Sequence, residues 1–580
     1  MVQMGPLRDQ RNNILAAQHI DGPPFALPWR SFAAFVSSRI EDPALADHVF
    51  LTYYDDDKGV HRRYTYRVFG DQVRRVASFL YDGLGVRRGD RIATVLFNHD
   101  HTVLIYFAAW ALGAVIVPIN VEEPTERKRY ILEHSEATTV FCWTDYLDEV
   151  IALQRELPAL KEVVAVGDLS TASGGARSLT QALGSALPFL LSKLEPADRE
   201  DALGDEALIV YTSGTTGPPK GVVLSARHLL LDADAIAEWH GFGHADRLMC
   251  VLPIHHVNGT VVTLLTPFYC GAGTVLMRKF KAGTWWRHVG EEHITCVSVV
   301  PTLLEFLIEA DEDVAGYDLS GFRGVICGAG PLLKETAARF EDRFKFPIRH
   351  GYGLSETTCY SSFLPDDLSP GEHRRWLTGY EFPSIGVPIK HNEMAILDGT
   401  GQAVQPMIRG EICIRGRTVC DGYLKRPDAN DAAFRAGWFR SGDEGFSVVD
   451  SRGRAFFFIS GRLKELIIRG GVNISPLEID DVLRRHPGVK FAMAVPFENR
   501  YYGEEVAVYI VTQDGIPAPS ESELLDFCRS HLPFARRPKV VVFGQDVPYT
   551  ATGKPKRLAL KTTLATALRR YRDIQFKEGS

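Results

Sequence analysis

The sequence lacks the features that mark secreted, membrane-spanning or nucleic-acid-binding proteins. Its nine cysteines form no CxxC pair, and most lie inside apolar runs, which favours buried reduced thiols over zinc ligands or disulfides. A net charge of −7 leaves no basic excess for a nucleic-acid partner. The first residues, MVQMGPLRDQRNN, have no apolar stretch behind a basic start and do not resemble a secretory signal. We therefore expect a cytoplasmic protein that binds no nucleic acid.

One hydrophobic run approaches the length needed to cross a membrane. It covers 102–118, TVLIYFAAWALGAVIVP. Gly113 divides it into a helix-like half and a β-branched half, which indicates a buried helix followed by a buried strand. No membrane span is predicted.

The order of apolar and amphipathic stretches predicts an α/β fold with more than one domain. A chain of 580 residues is too long for one core. Short Val- and Ile-rich runs alternate with amphipathic stretches, which predicts a large N-terminal domain of layered α/β subdomains with largely parallel sheets. Closely spaced strands after residue 380 predict a β-rich subdomain, and a small α+β unit follows from residue 465. The stretch 365–376, PDDLSPGEHRRW, is expected to be weakly structured.

A loop rich in glycine and hydroxyl side chains follows the buried strand ALIV. It reads YTSGTTGPPKG at 211–221. Glycines let the backbone approach a ligand closely, and successive N–H groups in such a loop form a cavity for anions. The residues expected to hold a polyphosphate are Thr212, Ser213, Gly214, Thr215 and Thr216, with Lys220 as the cation.

The composition of this loop also allows two other interpretations. The P-loop of nucleotide triphosphatases ends in Gly-Lys-Ser/Thr at the start of a helix. Here Pro219 precedes Lys220 and Gly221 follows it, so that interpretation fails. A flexible surface turn is the remaining alternative.

The loop resembles the signature of the adenylate-forming enzymes. This family comprises acyl-CoA synthetases, peptide-synthetase adenylation domains and firefly-type luciferases. Five further motifs follow in the family's order, so the resemblance extends over roughly residues 30–564. It implies that the loop wraps the β- and γ-phosphates of ATP, and that a carboxylic acid is converted to an acyl-adenylate.

Two motifs resemble the family's adenine- and metal-binding segments. GAGP at 328–331 ends a buried strand, and HGYGLSET at 350–357 is similar to the aromatic-Gly-x-Thr-Glu motif. The tyrosine ring can stack on adenine, and a glutamate is a hard oxygen ligand for Mg²⁺. The resemblance implies nucleotide contacts from Gly328, Ala329, His350, Gly351, Tyr352 and Ser355, a metal ligand in Glu356, and an acyl-pocket wall at Gly330.

Later motifs imply a ribose site and a hinge. In WFRSGD at 438–443, Asp443 is expected to accept hydrogen bonds from the ribose hydroxyls, and Arg462 also reaches the ribose. Lys464 occupies the family's hinge position, which divides the chain into an N-terminal adenylation domain, 1–463, and a mobile C-terminal lid domain, 464–580. The lid carries the CoA-side loop with Gly470 and Gly471.

The last motif, PYTATGKPKR at 548–557, implies a catalytic lysine at Lys554. In the family this lysine bridges the substrate carboxylate and the phosphate in the first step, and the lid then rotates for thiol attack. The other residues implied in catalysis are Lys220 and His256. A lone lysine near a chain end is usually only solvated, so the motif around it carries this interpretation.

The segment PIHHVNG at 253–259 resembles acyl-CoA synthetases. His256 is implied beside the acyl carboxyl end, with His255 and Gly259 lining the acyl pocket; a core histidine is the structural alternative. The stretch 253–262 contains no acidic residue to hold an amino-acid ammonium group, which argues against amino acids as substrates. We expect a hydrophobic acid, aromatic or polycyclic, with ATP, Mg²⁺ and coenzyme A as cofactors. Three alternatives remain open: a ligase loading an acyl-carrier protein, a luciferase-type oxygenase, and a non-catalytic nucleotide-binding protein of this fold.

Overall fold

The computed structural model describes residues 5–21, 25–167, 176–189, 202–212, 218–310, 312–549 and 555–577. Its α-helices are α1 (Gly5–Gln18), α2 (Phe32–Ile40), α3 (Tyr66–Ser78), α4 (Asp100–Ala111), α5 (Thr125–Ser135), α6 (Leu147–Glu156), α7 (Leu179–Ser185), α8 (Ala226–His240), α9 (Thr266–Cys270), α10 (Ala282–Glu291), α11 (Pro301–Glu309), α12 (Lys334–Phe344), α13 (Pro370–Thr378), α14 (Pro427–Ala433), α15 (Pro476–Arg484), α16 (Glu521–His531) and α17 (Arg557–Leu568). The strands are β1 (Val49–Asp55), β2 (Val60–Thr65), β3 (Arg91–Val95), β4 (Val115–Ile119), β5 (Thr139–Trp143), β6 (Glu162–Val166), β7 (Arg177–Ser178), β8 (Glu206–Thr212), β9 (Lys220–Ser225), β10 (Arg247–Cys250), β11 (Gly273–Met277), β12 (Cys296–Val299), β13 (Val325–Cys327), β14 (Ile348–Tyr352), β15 (Ser362–Phe363), β16 (Ser384–Pro388), β17 (Asn392–Leu397), β18 (Gly410–Gly416), β19 (Phe434–Arg435), β20 (Trp438–Val449), β21 (Ala455–Arg462), β22 (Ile467–Arg469), β23 (Val472–Ile474), β24 (Val489–Asn499), β25 (Gly503–Thr512) and β26 (Val540–Phe543).

These strands form three sheets in the described part of the chain. One has the order β7-β6-β5-β3-β4-β8-β9. A second begins as the β-rich unit β17-β18-β20-β21-β16 and continues through β15-β14-β13-β12-β10-β11-β1-β2. The third, β23-β22-β25-β24 with β26 on β25, belongs to the C-terminal unit. The predicted α/β class, the β-rich subdomain and the small α+β unit are thereby confirmed.

The hydrophobic run at 102–118 forms α4 and β4, as predicted. Every residue of α4 from Thr102 to Ala111 is buried, and Gly113 turns the chain between the two elements with φ +71°. Among the described residues, no helix is both long and apolar enough to cross a membrane. All nine cysteines are unpaired thiols, and eight of them are buried.

The expectation that 365–376 is weakly structured was wrong, because this stretch contains most of α13. Ser369 caps the helix by accepting from the Glu372 N–H, and the Glu372 side chain accepts from the Ser369 N–H. Pro370 at the first helical position suits that geometry. The sequence SPGE is a helix-start signal of the capping-box type, and it was overlooked beside the glycine and proline.

The carboxyl ends of parallel strands from two sheets meet at the side chain of Asn98. Asn98 follows β3 and is buried. Its amide nitrogen donates to the carbonyl oxygens of Leu252 at 3.0 Å and Met277 at 3.2 Å, beyond β10 and at the end of β11. Its oxygen accepts from the Ile254 N–H at 2.9 Å. In parallel sheets ligands bind at this carboxyl edge, so the seam marks where a site is expected.

Replacing Asn98 with alanine should destabilise the N-terminal region. The variant Asn98→Ala removes the side-chain partner of the Met277 carbonyl and of the Ile254 N–H, and it leaves the Leu252 carbonyl with only the Cys250 thiol as a donor, at 3.4 Å. A buried backbone group without a partner costs about 1–3 kcal/mol. We expect Tm to fall by about 4–10 °C in a differential scanning measurement. The exposed Asn473 supplies the control variant Asn473→Ala. A Tm for Asn98→Ala equal to that of the control would contradict the role of this side chain.

Candidate active site

The predicted phosphate loop, 211–221, connects two paired strands at the carboxyl edge of the first sheet. Thr212 ends β8 and pairs across the antiparallel ladder with Lys220, which begins β9. The Thr212 hydroxyl donates to the Lys220 carbonyl oxygen at 3.4 Å. Ser213, Gly214, Thr215 and Thr216 lie outside the described residues.

Lys220, Tyr423 and Glu356 form a stacked group beside this loop. The Lys220 Nζ lies 4.0 Å from the centre of the Tyr423 ring, within the range of a cation–π contact. The Tyr423 hydroxyl donates to Glu356 Oε1 at 2.8 Å. Burial lowers the pKa of Lys220, and the carboxylate of Glu356 opposes that shift. A cation therefore lies over the ring of Tyr423, and a buried carboxylate accepts from the hydroxyl of the same side chain.

Tyr423 was missed by sequence reasoning. It lies 67 positions after Glu356, in a loop that carries no motif. A backbone bridge between Val222 on β9 and Tyr423 brings it to the phosphate loop. That contact depends on how the β-rich unit docks against the first sheet, and we find no local signal for it.

A strained turn holds the segment that carries Glu356. Thr358 has φ 66° and ψ −64°, and the Cys359 N–H donates to the Thr357 carbonyl at 2.9 Å. This is the rare form of γ-turn, and a β-branched residue in it costs about 1–3 kcal/mol. The Thr358 hydroxyl donates to the Thr418 carbonyl at 2.7 Å. Together with the bond from the Cys420 N–H to the Glu356 carbonyl at 2.8 Å, it fixes this turn against the β-rich unit.

The predicted adenine and ribose residues form a second group. The Tyr352 hydroxyl donates to Asp443 Oδ2 at 2.7 Å, and Arg462 Nε lies 3.0 Å from Asp443 Oδ1. Asp443 and Arg462 are paired across β20 and β21. The Asp443 carboxylate raises the pKa of Arg462, and Glu356 adds to that shift. The two groups therefore lie within electrostatic reach of each other at the end of β14.

The ring of His350 is committed to the protein interior. It is buried, and its Nδ1 donates to the Ser384 carbonyl at 2.8 Å. Burial lowers the pKa of His350 from 6.5 to about 4, so the imidazole is neutral at pH 7. A contact between the His350–Gly351 backbone and adenine stays a prediction. Ser355 begins the short 3₁₀ turn that contains Glu356.

Packing alone already requires glycine at several predicted pocket positions. A Cβ on Gly328 would lie 2.5 Å from the Tyr360 hydroxyl, and one on Gly351 would lie 2.3 Å from the Phe363 ring. A Cβ on Gly259 would lie 2.6 Å from the Pro253 carbonyl. Their small size therefore does not by itself indicate a ligand.

Residues 329 and 330, in the turn after β13, are not constrained by packing in this way. Ala329 adopts φ +61°, a left-handed conformation that is uncommon for alanine. A Cβ on Gly330 would lie 3.4 Å from Pro301 at the start of α11, which is ordinary contact. These two half-buried residues lie at the carboxyl edge, where a ligand is expected.

The two predicted acyl-side histidines lie after β10, next to the Asn98 seam. Their ring centres are 4.7 Å apart. Burial lowers the pKa of His255 to about 4, and its buried Nε2 has no hydrogen-bond partner among the described residues. His256 is half-buried, and its N–H donates to the Pro253 carbonyl at 3.2 Å. Gly259 follows within a π-helical turn, Asn258–Leu265, a feature frequent at functional sites.

The predicted hinge residue Lys464 lies near this edge. Lys464 is one of the cations that lower the pKa of Lys220, so it lies near the phosphate loop. Lys554 falls outside the described residues. The base of its loop is closed by a bridge between Tyr549 and Pro555 and by the Lys556 N–H donating to the Pro548 carbonyl at 2.7 Å.

The C-terminal unit contacts the N-terminal region at helix α11. Arg484 of α15 lies 2.7 Å from Glu305 of α11. Arg484 and Glu309, at the end of α11, act in opposite directions on the pKa of Tyr549, which burial raises. Tyr549 therefore lies near the end of α11 that is opposite to Pro301 and Gly330.

Buried histidines predict a loss of stability in acid. A neutral His350 binds fewer protons when folded (pKa about 4) than when unfolded (pKa 6.5). The contribution of His350 to the free energy of unfolding is therefore fully present above pH 6.5 and is lost as pH decreases from 6.5 to 4. We expect Tm to decrease over this range, and His350→Asn to flatten the decrease. The control His19→Asn alters an exposed histidine and should leave the profile unchanged; equal profiles for all three proteins would refute the assignment.

Comparison with known proteins identifies the family. Residues 39–424 match the AMP-binding enzyme family, and residues 478–554 match the AMP-binding enzyme C-terminal domain. The chain is 34% identical over 483 residues to the sulfoacetate–CoA ligase of Cupriavidus necator, covering 83% of this chain and 89% of that protein. It is 30% identical over 520 residues to the 2-succinylbenzoate–CoA ligase of Bacillus pumilus, covering 89% and 95%.

Solved structures agree in fold. The anthranilate CoA ligase AuaEII in complex with anthranoyl-AMP matches with a TM-score of 0.81 at 23% identity, covering 94% of this chain and 99% of that one. ATP-bound MatB from Rhodopseudomonas palustris matches with a TM-score of 0.79 at 25% identity, covering 92% and 99%. The family and fold implied by the motifs are thus confirmed: the chain belongs to the AMP-binding enzyme family.

Proposed function

We propose that this chain is an AMP-forming acid–thiol ligase, which activates a carboxylic acid with ATP and transfers the acyl group to coenzyme A. The observation that carries the proposal is the convergence of two groups at one carboxyl edge. One group is Lys220, Tyr423 and Glu356, and the other is Tyr352 with the Asp443–Arg462 pair. The first suits a polyphosphate and its counter-ion, and the second suits a nucleoside.

In the first half-reaction an oxygen of the substrate carboxylate bonds to the α-phosphorus of ATP. The bond from that phosphorus to the bridging oxygen breaks, and pyrophosphate leaves with the electron pair. Negative charge builds on phosphate oxygens, so fixed cations and positioning supply most of the catalysis. We assign those cations to Lys220 and Lys554. The Tyr423 ring holds the Lys220 ammonium at 4.0 Å and limits its freedom.

Glu356 fits the role of a magnesium ligand. Mg²⁺ in such sites is held by one or two carboxylates together with substrate phosphates, and Glu356 is a buried carboxylate whose Oε1 is oriented by Tyr423. Bound Mg²⁺ would supply neutralising charge to the phosphates. Orienting groups behind a ligand are commonly as important as the ligand itself.

In the second half-reaction the CoA thiol attacks the acyl carbonyl carbon, AMP leaves and the thiol proton is released. We assign 1–463 and 464–580 as the adenylation and lid domains, with Lys464 as the hinge. The C-terminal unit has a sheet of its own and contacts α11 through the ion pair from Arg484 to Glu305. Both features support a separate domain that binds to the surface of the N-terminal domain. His256 is proposed beside the reacting carboxyl group, since it is half-buried and follows β10 at the shared edge.

We propose two classes of acid as the substrate. The sequence favours a hydrophobic acid, aromatic or polycyclic. A short acid with a second acidic group is the rival, because a buried polar chain lies beneath Gly328. In that chain Ser298 donates to Asn258 at 2.7 Å, and Asn258 donates to the Tyr360 hydroxyl at 3.3 Å. Sulfoacetate–CoA ligase and oxalate–CoA ligase among the relatives add weight to this class.

Acid-dependent ATP–pyrophosphate exchange distinguishes the two classes. The panel contains benzoate, anthranilate, ferulate and a polycyclic acid on one side, and oxalate, malonate and sulfoacetate on the other. Mass spectrometry after adding CoA then detects the thioester. Exchange without thioester would favour an acyl-carrier-protein ligase, and no exchange with any acid would refute acid activation.

Lys554→Ala should abolish adenylation and spare the second step. Removal of a preorganised charge costs about 10²–10³-fold in rate, and we expect that loss in single-turnover formation of acyl-AMP. Thioester formation from supplied acyl-AMP should stay near the wild-type rate. Lys556→Ala removes an exposed lysine of the same motif and serves as the control. Equal loss of both steps in Lys554→Ala would argue against this division of roles.

Tyr423→Phe should weaken the use of magnesium. The variant keeps a ring beside Lys220 but removes the hydrogen bond to Glu356. Loss of such an orienting partner typically lowers metal affinity or activity about 10- to 100-fold, and a Mg²⁺ titration of the adenylation rate measures it. Tyr380→Phe, at a tyrosine whose hydroxyl accepts from Arg375, is the control. An unchanged Mg²⁺ dependence would show that Tyr423 does not orient Glu356.

A further inference from the structure

The CoA-side loop is a tight two-residue hairpin. Gly470 and Gly471 join β22 to β23 with φ +58° and +83°, and positive φ at both central positions is the type I′ pattern. The Gly470 N–H donates to the Tyr502 carbonyl at 2.8 Å. The exposed Ile468 and Val472 flank the turn. A small apolar hairpin of this shape can approach a ligand closely with its backbone.

The residue that precedes the hairpin faces inward. Along β22 the side chain of Ile468 is exposed, whereas Ile467 is buried, and Arg469 is 9% exposed. The Arg469 guanidinium lies 3.9 Å from the centre of the Tyr502 ring and 5.3 Å from that of Phe534. It is therefore in contact range of two aromatic side chains.

A buried carboxylate fixes this guanidinium. Arg469 Nε donates to Glu505 Oε1 at 2.9 Å, and the Glu505 side chain is fully buried. Burial raises the pKa of Glu505, and the charge of Arg469 opposes that shift. Removing one partner of a buried ion pair leaves the charge of the other without compensation. Each of these two side chains therefore stabilises the buried position of the other.

Lys539 contacts Phe534 and fixes its position. Its Nζ lies 4.0 Å from the Phe534 ring centre and donates to the carbonyls of Phe534 at 2.7 Å and Arg537 at 2.9 Å. The Lys539 N–H donates to the Val506 carbonyl at 2.8 Å. The ring that faces Arg469 is thereby held against β25.

We propose that Arg469 is a positioning residue that sets the Gly470–Gly471 hairpin for CoA, through its contacts with Glu505, Tyr502 and Phe534. This rests on the proposed function of the lid. Arg469 does not touch the reacting atoms; it fixes the strand from which the hairpin projects. An arginine is needed because its planar group both stacks and forms a directed ion pair, which lysine cannot reproduce.

Separate assays of the two half-reactions, with the most active acid of the panel, test the proposal. For Arg469→Ala we expect acyl-AMP formation within about twofold of wild type, while thioester formation from supplied acyl-AMP slows by about 10- to 100-fold, as a displacement of about 1 Å can cause. The KM for CoA should rise and the KM for ATP should not. Arg469→Lys should restore less than half of the loss. Arg529→Ala, at an exposed lid arginine paired with Asp526, is the control.

Amide hydrogen exchange supplies a readout that is independent of turnover. In Arg469→Ala, the peptide 467–474 should exchange faster because the Gly470 N–H loses its fixed acceptor, whereas Arg529→Ala should match wild type. Faster exchange at this peptide, together with acyl-AMP formation near the wild-type rate, supports the proposal, and a lower Tm is expected because Glu505 loses its partner. Unchanged exchange, an unchanged KM for CoA, or equal loss of both half-reactions overturns it. Failure of wild type to activate any acid would refute the proposed function instead, and the exchange result would still decide whether Arg469 orders the hairpin.

Discussion

The molecule depends on the meeting of two parallel sheets at their carboxyl edges. Parallel strands end with their loops on the same side, so every motif that follows a strand is delivered to one seam. Asn98 joins the seam by bonding to the chain after β10 and at the end of β11. Because the partners of Asn98 are particular buried backbone groups, its hydrogen bonds determine how the two sheets are aligned. The phosphate loop after β8, the histidines after β10 and Glu356 after β14 are consequences of this arrangement.

Charge at the seam is organised through aromatic side chains. Tyr423 contacts a cation with its ring and a carboxylate with its hydroxyl, and Tyr352 donates to the carboxylate of an ion pair. In a partly buried site such intermediaries keep opposite charges apart while satisfying each of them. A ligand that brings phosphates and a nucleoside can then engage both Lys220 and the Asp443–Arg462 pair without dismantling a direct salt bridge to Glu356. The γ-turn at Thr358 shows that local strain is tolerated to hold this geometry.

The C-terminal unit repeats the same design on a smaller scale. A buried arginine–glutamate pair between two rings supports a glycine hairpin, and the hairpin and the lysine loop belong to one sheet-based unit. The hairpin and the lysine loop can take turns at one site only if each keeps its conformation while the C-terminal unit moves. Internal bracing of the lid is therefore as relevant to the proposed second step as the hinge at Lys464.

The sequence by itself determined the local elements and the identity of the motif residues. The helix and strand at 102–118 and the buried strands before the loop at 211–221 and before Gly328 follow from periodicity and turn chemistry, which act over a few residues. Asp443 and Arg462 were both expected at the ribose, whereas their pairing across β20 and β21 is seen only in the folded chain. Tertiary structure decided the rest. Tyr423 reaches Glu356 across 67 positions, Asn98 reaches Ile254 across 156, and Glu505 reaches Arg469 across a neighbouring strand. None of these three carries a local pattern, because their roles come from how separate units dock. Gly259 was assigned to the acyl pocket, and Gly328 and Gly351 to nucleotide contacts. The closest constraint on all three is the side-chain or backbone atom packed opposite, which only the folded chain brings there.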